Sequence, residues 1–308
     1  MRVSRAPRRI GHGISRRLGA GGKWARRGNS DDPKGGCVRS ALMIAMIACL
    51  VAAGPAAAQQ ASDKAAQTDL AKKLSNPVSD LVSVPFQFNW EANVGPSDLT
   101  RFILNVQPVM PFTINPDVNL IARVIMPLIS QPPLVDGGAP TFGVSDITTS
   151  FFFSPTGPKS FILGVGPVLV LPSTSEPTLG SGKWSAGPTA VVLKQHGPWT
   201  YGALWNQIWS FSGDPNRDDV NQMFLQPFLS YQATHTITLT VQSESTANWE
   251  VSDQRWTVPI NVLIAKLSTF GAFPASYQFG AGAFPVHPDI GPTWKIRAAV
   301  VILLPRTR

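Results

Sequence analysis

Three histidines, His196, His235 and His287, follow residue 58, and each is a candidate for metal or proton chemistry. None has a second His or a carboxylate at a ligand spacing such as H-x-x-x-H, so they read as solvated loop residues and no metal or cofactor is expected. His287 lies in "FPVHPDIG", without the serine two residues on that an outer-membrane lipase of the Ser, His and Asn type would need, so no catalytic residues and no enzyme are expected. Cys37 and Cys49 are the only cysteines, and both stand before residue 58. The remaining polar chemistry is amides and a few charges: Gln87, Asn89, Asn105, Gln107, Asn119, Arg123, Asn206, Gln242, Asn261, Gln278, Lys295 and Arg297. Such groups bind or conduct rather than catalyse, provided that the chain holds them on one surface.

The elements that could do so are extended. In "LVSVPFQFNW", Val82, Val84, Phe86, Phe88 and Trp90 fall on one face and Gln87 and Asn89 on the other, the period-two pattern of a half-buried strand. The pattern recurs in eleven further segments, beginning near Arg101, Val118, Val144, Ser160, Lys183, Trp199, Gln222, Thr236, Gln254, Ala272 and Thr293. These run longer than strands of soluble sandwiches and match the length needed to cross a bilayer at a tilt. The links alternate. Short ones are "TINPD", "SPTGPK", "QHGP", "ATH" and "KLSTFG"; long, polar ones are "EANVGPSDLT", "SQPPLVDGGAPTFG", "PSTSEPTLGSG", "SGDPNRDDVN", "TANWEVSD" and "PVHPDIGP". An up-and-down meander with all its long loops at one end is the plan of an outer-membrane β-barrel with short periplasmic turns. The expected fold is therefore all-β: a closed antiparallel barrel of about twelve strands over residues 81–305.

Aromatic residues sit at the segment ends. Trp90, Trp184, Trp209, Trp256 and Trp294 adjoin long loops and Trp199 a short turn, which suits two interfacial girdles. With the apolar face outward, the amides and cations above line the lumen. Mid-segment prolines (Pro85, Pro108, Pro127, Pro167, Pro188, Pro227, Pro259 and Pro274) predict bulges or broken pairing.

The formal charge of +8 does not indicate nucleic acid. Residues 1–40 hold eleven Lys or Arg against two Asp or Glu, while the remainder holds fifteen against sixteen. The apolar run from Ala41 to Ala53, followed by Ala56, Ala57 and Ala58, reads as a secretory signal cleaved before Gln59, with translation from Val38 giving a compact signal peptide. Residues 59–80 form a polar leader, helical or disordered. Export, periplasmic chaperones, barrel-assembly machinery and insertion among outer-membrane lipids of a Gram-negative bacterium follow from that reading.

The run "NPVSDLVSVPFQFNWEANVGP" with "LNVQPVMPFTINPDVNLIARVIMPLI" resembles the bacterial outer-membrane barrels of the meta-pathway of phenol degradation, commonly labelled transporters and often mislabelled neuromedin U. The resemblance covers residues 76–305, brings several mid-strand prolines with it, and implies a barrel associated with uptake of hydrophobic compounds. The functional expectation is a channel passing small neutral or amphipathic solutes, aromatic ones included, with at most a mild anion preference. The alternatives are a plugged structural or surface-interaction barrel, a soluble periplasmic β-protein and an outer-membrane lipase.

Overall fold

The computed structural model describes residues 62–157 and 160–305. The expected signal peptide, the expected alternative start and both cysteines lie outside those residues. Twelve antiparallel staves form one closed sheet. In chain order they are β1 (Val82–Val94), β2 (Leu99–Val106 continued as Val109–Asn115), β3 (Val118–Gln131), β4 (Thr141–Val144 and Ile147–Pro155), β5 (Ile162–Leu171) and β6 (Lys183–His196). There follow β7 (Trp199–Gly213), β8 (Asn221–Gln232), β9 (Ile237–Ser243 and Ser245–Asn248), β10 (Trp256–Phe270), β11 (Phe273–Val286) and β12 (Trp294–Leu304). Each pairs with its sequence neighbours, and β1 closes the ring on β12 from Val82↔Leu304 to Ala92↔Trp294. Every expected segment is a stave, and the link lengths alternate with one exception. The first, expected to be long, is only residues 95–98, because β1 and β2 extend into it. Positive φ at Gly95 and Asp98 allows the tight reversal.

Alternation decides what faces where. On β10, Ile260, Val262 and Ile264 are exposed, while Pro259, Asn261, Leu263 and Leu267 are buried inside. The same rule leaves Phe112, Phe153, Leu163, Val165, Leu229 and Phe279 bare on the outer wall. In water each such side chain forgoes about 1.5–3 kcal/mol of burial, and soluble monomers leave only small apolar patches of this kind. An apolar belt around a closed barrel is stable against lipid, because the ring of paired strands leaves no free sheet edge. Trp90, Trp184, Trp209 and Trp294 are exposed at the long-loop end of the wall, and Trp256 stacks edge-on with Trp249 beside them. Trp199 lies at the short-turn end against Tyr231, with ring centroids 4.6 Å apart.

The prolines act in two ways. Pro108 fills the break in β2, Pro259 sits at a bulge between β10 and β11, and Pro127 faces the break in β4, where its carbonyl accepts from the Ser145 amide. Pro85, Pro227 and Pro274 keep register with β12, β7 and β10, while the pairing of β1 with β2 lapses at Val84–Pro85 and that of β8 with β9 at Gln226–Pro227. The two Gly-Pro pairs are a special case. Pro167 of β5 stands opposite Pro188 of β6, both on the lipid face, and pairing lapses beside them at Phe151–Phe152 and at Gln207–Ile208. A Cβ at Gly166 or Gly187 would collide with the carbonyl oxygen of Phe151 or Gln207, so only glycine fits this contracted belt. Hydrogen–deuterium exchange should therefore be faster at the β4–β7 amides around residues 151, 166, 187 and 207 than along β10 and β11, where the ladder runs unbroken from Ile260↔Ala283 to Phe270↔Phe273. Equal protection in both regions would contradict a locally weakened wall.

A helix, α1 (residues 62–74), precedes the barrel. Its Ala71 is buried, and Val78 just after it joins Ile121, Phe152, Val191, Leu193 and Leu204 in an apolar cluster on the inner wall. Gln195 and Gln232, both at the short-turn end, donate to the carbonyls of Lys72 (2.9 Å) and Thr68 (3.2 Å). The leader thus occupies the mouth of the lumen at that end.

Candidate functional site: the lumen

The interior divides into two unequal environments. Inner faces of β3, β4, β6 and β7 meet in the apolar cluster capped by Val78. The opposite wall borders a cavity of about 720 Å³, which reaches from Leu134 and Ile290 in the external loops down to Leu74, Asn76 and Ser79 of the leader.

Cavity lining is set by parity. Gln87 and Asn89 come from β1, Asn105 and Gln107 from β2, and Arg123 from β3. Gln242 comes from β9, Gln278 from β11, and Lys295 and Arg297 from β12. Asn119, Asn206 and Asn261 share the inner face of their strands but do not border the cavity. Asn119 stands two residues below Ile121, Asn206 pairs across to Phe224, and Asn261 is 1% exposed against Gly282. Both side-chain polar atoms of Asn261 are without a partner among the described residues.

Charges gather on the β9, β12, β1 and β2 wall. Glu244 accepts from Arg297 through both oxygens, at 2.8 and 2.6 Å, and from Lys295 at 3.1 Å. Arg297 Nε also donates to Asn89 Oδ1 at 2.7 Å. One row up, Glu91 accepts from Arg101 at 2.7 and 2.9 Å, and Arg101 reaches Gln131 at 3.3 Å. Amides complete the layer: Gln226 donates to Gln242, and Gln242 to Glu244. Two sequence features make room for it. Gly282 and Gly280 pair with Lys295 and Arg297 and put no side chain beside them. Pro259, next in register to Glu244 after Ser243↔Ile260, has no amide hydrogen, and the β9 ladder breaks there.

Glu91, Arg101 and Gln226 escaped the sequence reading. Glu91 continues the parity of Gln87 and Asn89, a usable signal that was masked by assigning it to a loop. Gln226 lies between Phe224 and Phe228, which also border the cavity, so β8 shows no clean alternation. Outside the membrane span, Asp219 at the long-loop rim takes hydrogen bonds from Lys183 (2.9 Å) and Ser210 (3.2 Å), and these hold its carboxyl below the usual value. His287 lies in an external loop with Nδ1 2.8 Å from the Pro288 carbonyl oxygen.

An outer-membrane channel from Pseudomonas putida F1 has a similar structure, with a TM-score of 0.55 and 16% identity, over 74% of this chain and 99% of that one. The chain has the fold of an outer-membrane β-barrel. Fainter likenesses are to the NanC porin (TM-score 0.48, 8% identity, 73% of this chain and 100% of that one) and to outer membrane phospholipase A from Escherichia coli (0.42, 11%, 77% and 98%). No protein-family model matches the sequence, and no curated protein does. A closed barrel with an apolar outer belt and aromatic residues at both rims is built to span a bilayer, and barrels of this type occupy the outer membrane of Gram-negative bacteria.

Proposed function

We propose that the barrel is a passive channel for small neutral or amphipathic solutes, aromatic compounds among them. The observation that supports this most is the lumenal cavity, lined by amides and hydroxyls together with a larger share of apolar side chains, which extends from the external loops to the leader. Strongly ion-selective pores carry rings of one charge sign. Here four wall cations, Arg101, Arg123, Lys295 and Arg297, face two anions, Glu91 and Glu244. That excess gives a mild anion preference. The resemblance of the first three strands to the phenol-degradation barrels favours uptake of hydrophobic compounds, and the apolar part of the lining (Ile103, Ile125, Phe224 and Phe228) suits such solutes.

Liposomes containing the refolded protein should swell in iso-osmotic solutions of small uncharged solutes, with rates falling steeply as solute size increases. Liposomes that take up nothing, with or without the leader, would eliminate the channel. A second reading draws on the leader packed into the lumen: a plugged barrel whose external loops are the working surface. It requires a silent wild type. We assign the chain no reaction.

A further inference from the structure

We propose that Arg123 is the anchor of a binding site for small monocarboxylates with an apolar body, in the simplest case a benzoate-like anion. The proposal deepens the channel reading and rests on it. Among the described residues the cavity is bordered by five cations, and four are ion-paired: Arg101 to Glu91, Lys295 and Arg297 to Glu244, and Lys73 of the leader to Asp80. Arg123 differs. Its Nη2 donates to Gln107 Oε1 at 2.7 Å, but among the described residues no carboxylate lies within ion-pair distance, and its Nε and Nη1 make no hydrogen bond. A guanidinium presents its donors as a planar fork that matches a carboxylate, and inside a barrel wall such a pair is screened less than in bulk water.

What surrounds the fork narrows the ligand. Ile121, two residues along the same face of β3, belongs to the apolar cluster. Val109, opposite Arg123 in register, packs against that cluster and borders the cavity, as do Phe224 and Phe228. The free cation therefore stands at the edge of an apolar floor. An inorganic anion would satisfy the charge and leave the floor wet, whereas a neutral aromatic would cover the floor and leave the guanidinium unmatched. A dianion would bring a second charge for which no uncommitted cation is present among the cavity residues. One carboxylate on one small apolar body satisfies both halves, and the volume accommodates it.

Calorimetric titration of the detergent-folded full chain with benzoate, benzyl alcohol and acetate in 0.1 M salt tests this without any need for conductance. Benzoate should bind about tenfold or more tightly than either comparator. Arg123→Gln should bring benzoate down to the benzyl alcohol level, and Arg123→Lys should fall between, because it keeps the charge and loses the fork. Equal affinities for benzoate and benzyl alcohol in the wild type, no binding of either, or undiminished benzoate binding by Arg123→Gln would overturn the proposal. A protein that conducts but shows any of these results keeps the channel reading and loses the site. A protein that binds as expected yet never conducts has the site and loses the channel.

Discussion

Replacing Glu244 by Gln should destabilise the folded barrel by about 3 kcal/mol, the scale found when one partner of a buried ion pair is removed. The reason is what remains. Lys295 and Arg297 keep side chains only 4% and 5% exposed, and each relies on the same carboxylate. Gln at 244 still accepts one hydrogen bond but cancels no charge, so two cations are left adjacent inside the wall. The expected result is a shift of the unfolding midpoint to lower urea concentration in detergent, read by the loss of heat-modifiable gel mobility. Removing one of the stranded cations should relieve the strain: Glu244→Gln with Lys295→Met should be more stable than Glu244→Gln alone. A Glu244→Gln protein as stable as the wild type would mean that lumenal water solvates both cations, and the wall would then lack the rigid charged layer described above. The same substitution should raise anion preference, since the wall loses one of its two anions.

Deleting residues 62–80 should enlarge the conducting path while leaving the barrel intact. The leader contributes no stave: closure is made by β1 and β12 alone. What holds it is local, namely Val78 in the apolar cluster and two glutamine-to-carbonyl bonds at the short-turn rim. Loss of Val78 burial costs about 1.5–3 kcal/mol, well within what the continuous ladders can absorb. Single-channel conductance of the truncated protein should exceed that of the full chain several-fold, and liposome entry should extend to larger solutes. Unchanged conductance would show that the narrowest point lies elsewhere, in the external loops around Leu134 and Ile290. Val78→Asp is a milder route to the same end, because a carboxylate cannot stay among Ile121, Phe152 and Leu193 and should drive the leader out of the lumen.

The staves and their facing were legible because a barrel writes its geometry into a period of two. Val82 to Trp90 and Ile260 to Ile264 alternate cleanly, since lipid on one side and a polar lumen on the other impose opposite demands on adjacent residues. Legibility failed where both faces are apolar. β8 carries Phe224 and Phe228 inward and Leu229 and Tyr231 outward, so nothing in its pattern separates wall from lumen, and Gln226 was lost between them. The apolar cluster of Phe152, Val191, Leu193 and Leu204 escaped for the same reason, as did the leader residue Val78 that completes it. Turns misled in the first hairpin, where "EANVGPSDLT" has the composition of a loop while Glu91 and Arg101 pair across β1 and β2. Pairwise chemistry was out of reach altogether. The sequence places Glu244, Lys295, Arg297 and Asn89 on inward positions of three strands, but only the register of β12 against β1 brings Arg297 beside Asn89. The prolines were legible as irregularities and not as their consequences: that Pro259 would stand beside Glu244, or Pro167 opposite Pro188, depends on registers set by the whole ring.

We propose that solutes cross through a lumen whose charge is set by the cavity residues. Reversal potential in planar bilayers, measured across a salt gradient for the full chain and for Arg123→Glu, tests it most directly. The wild type should give discrete conducting steps with a mild anion preference, and Arg123→Glu, which replaces by an anion the cavity cation that among the described residues has no carboxylate within ion-pair distance, should move the reversal potential to the cation-preferring side. Silent bilayers from the full chain and from the protein lacking residues 62–80, or identical reversal potentials for wild type and Arg123→Glu, would contradict the account.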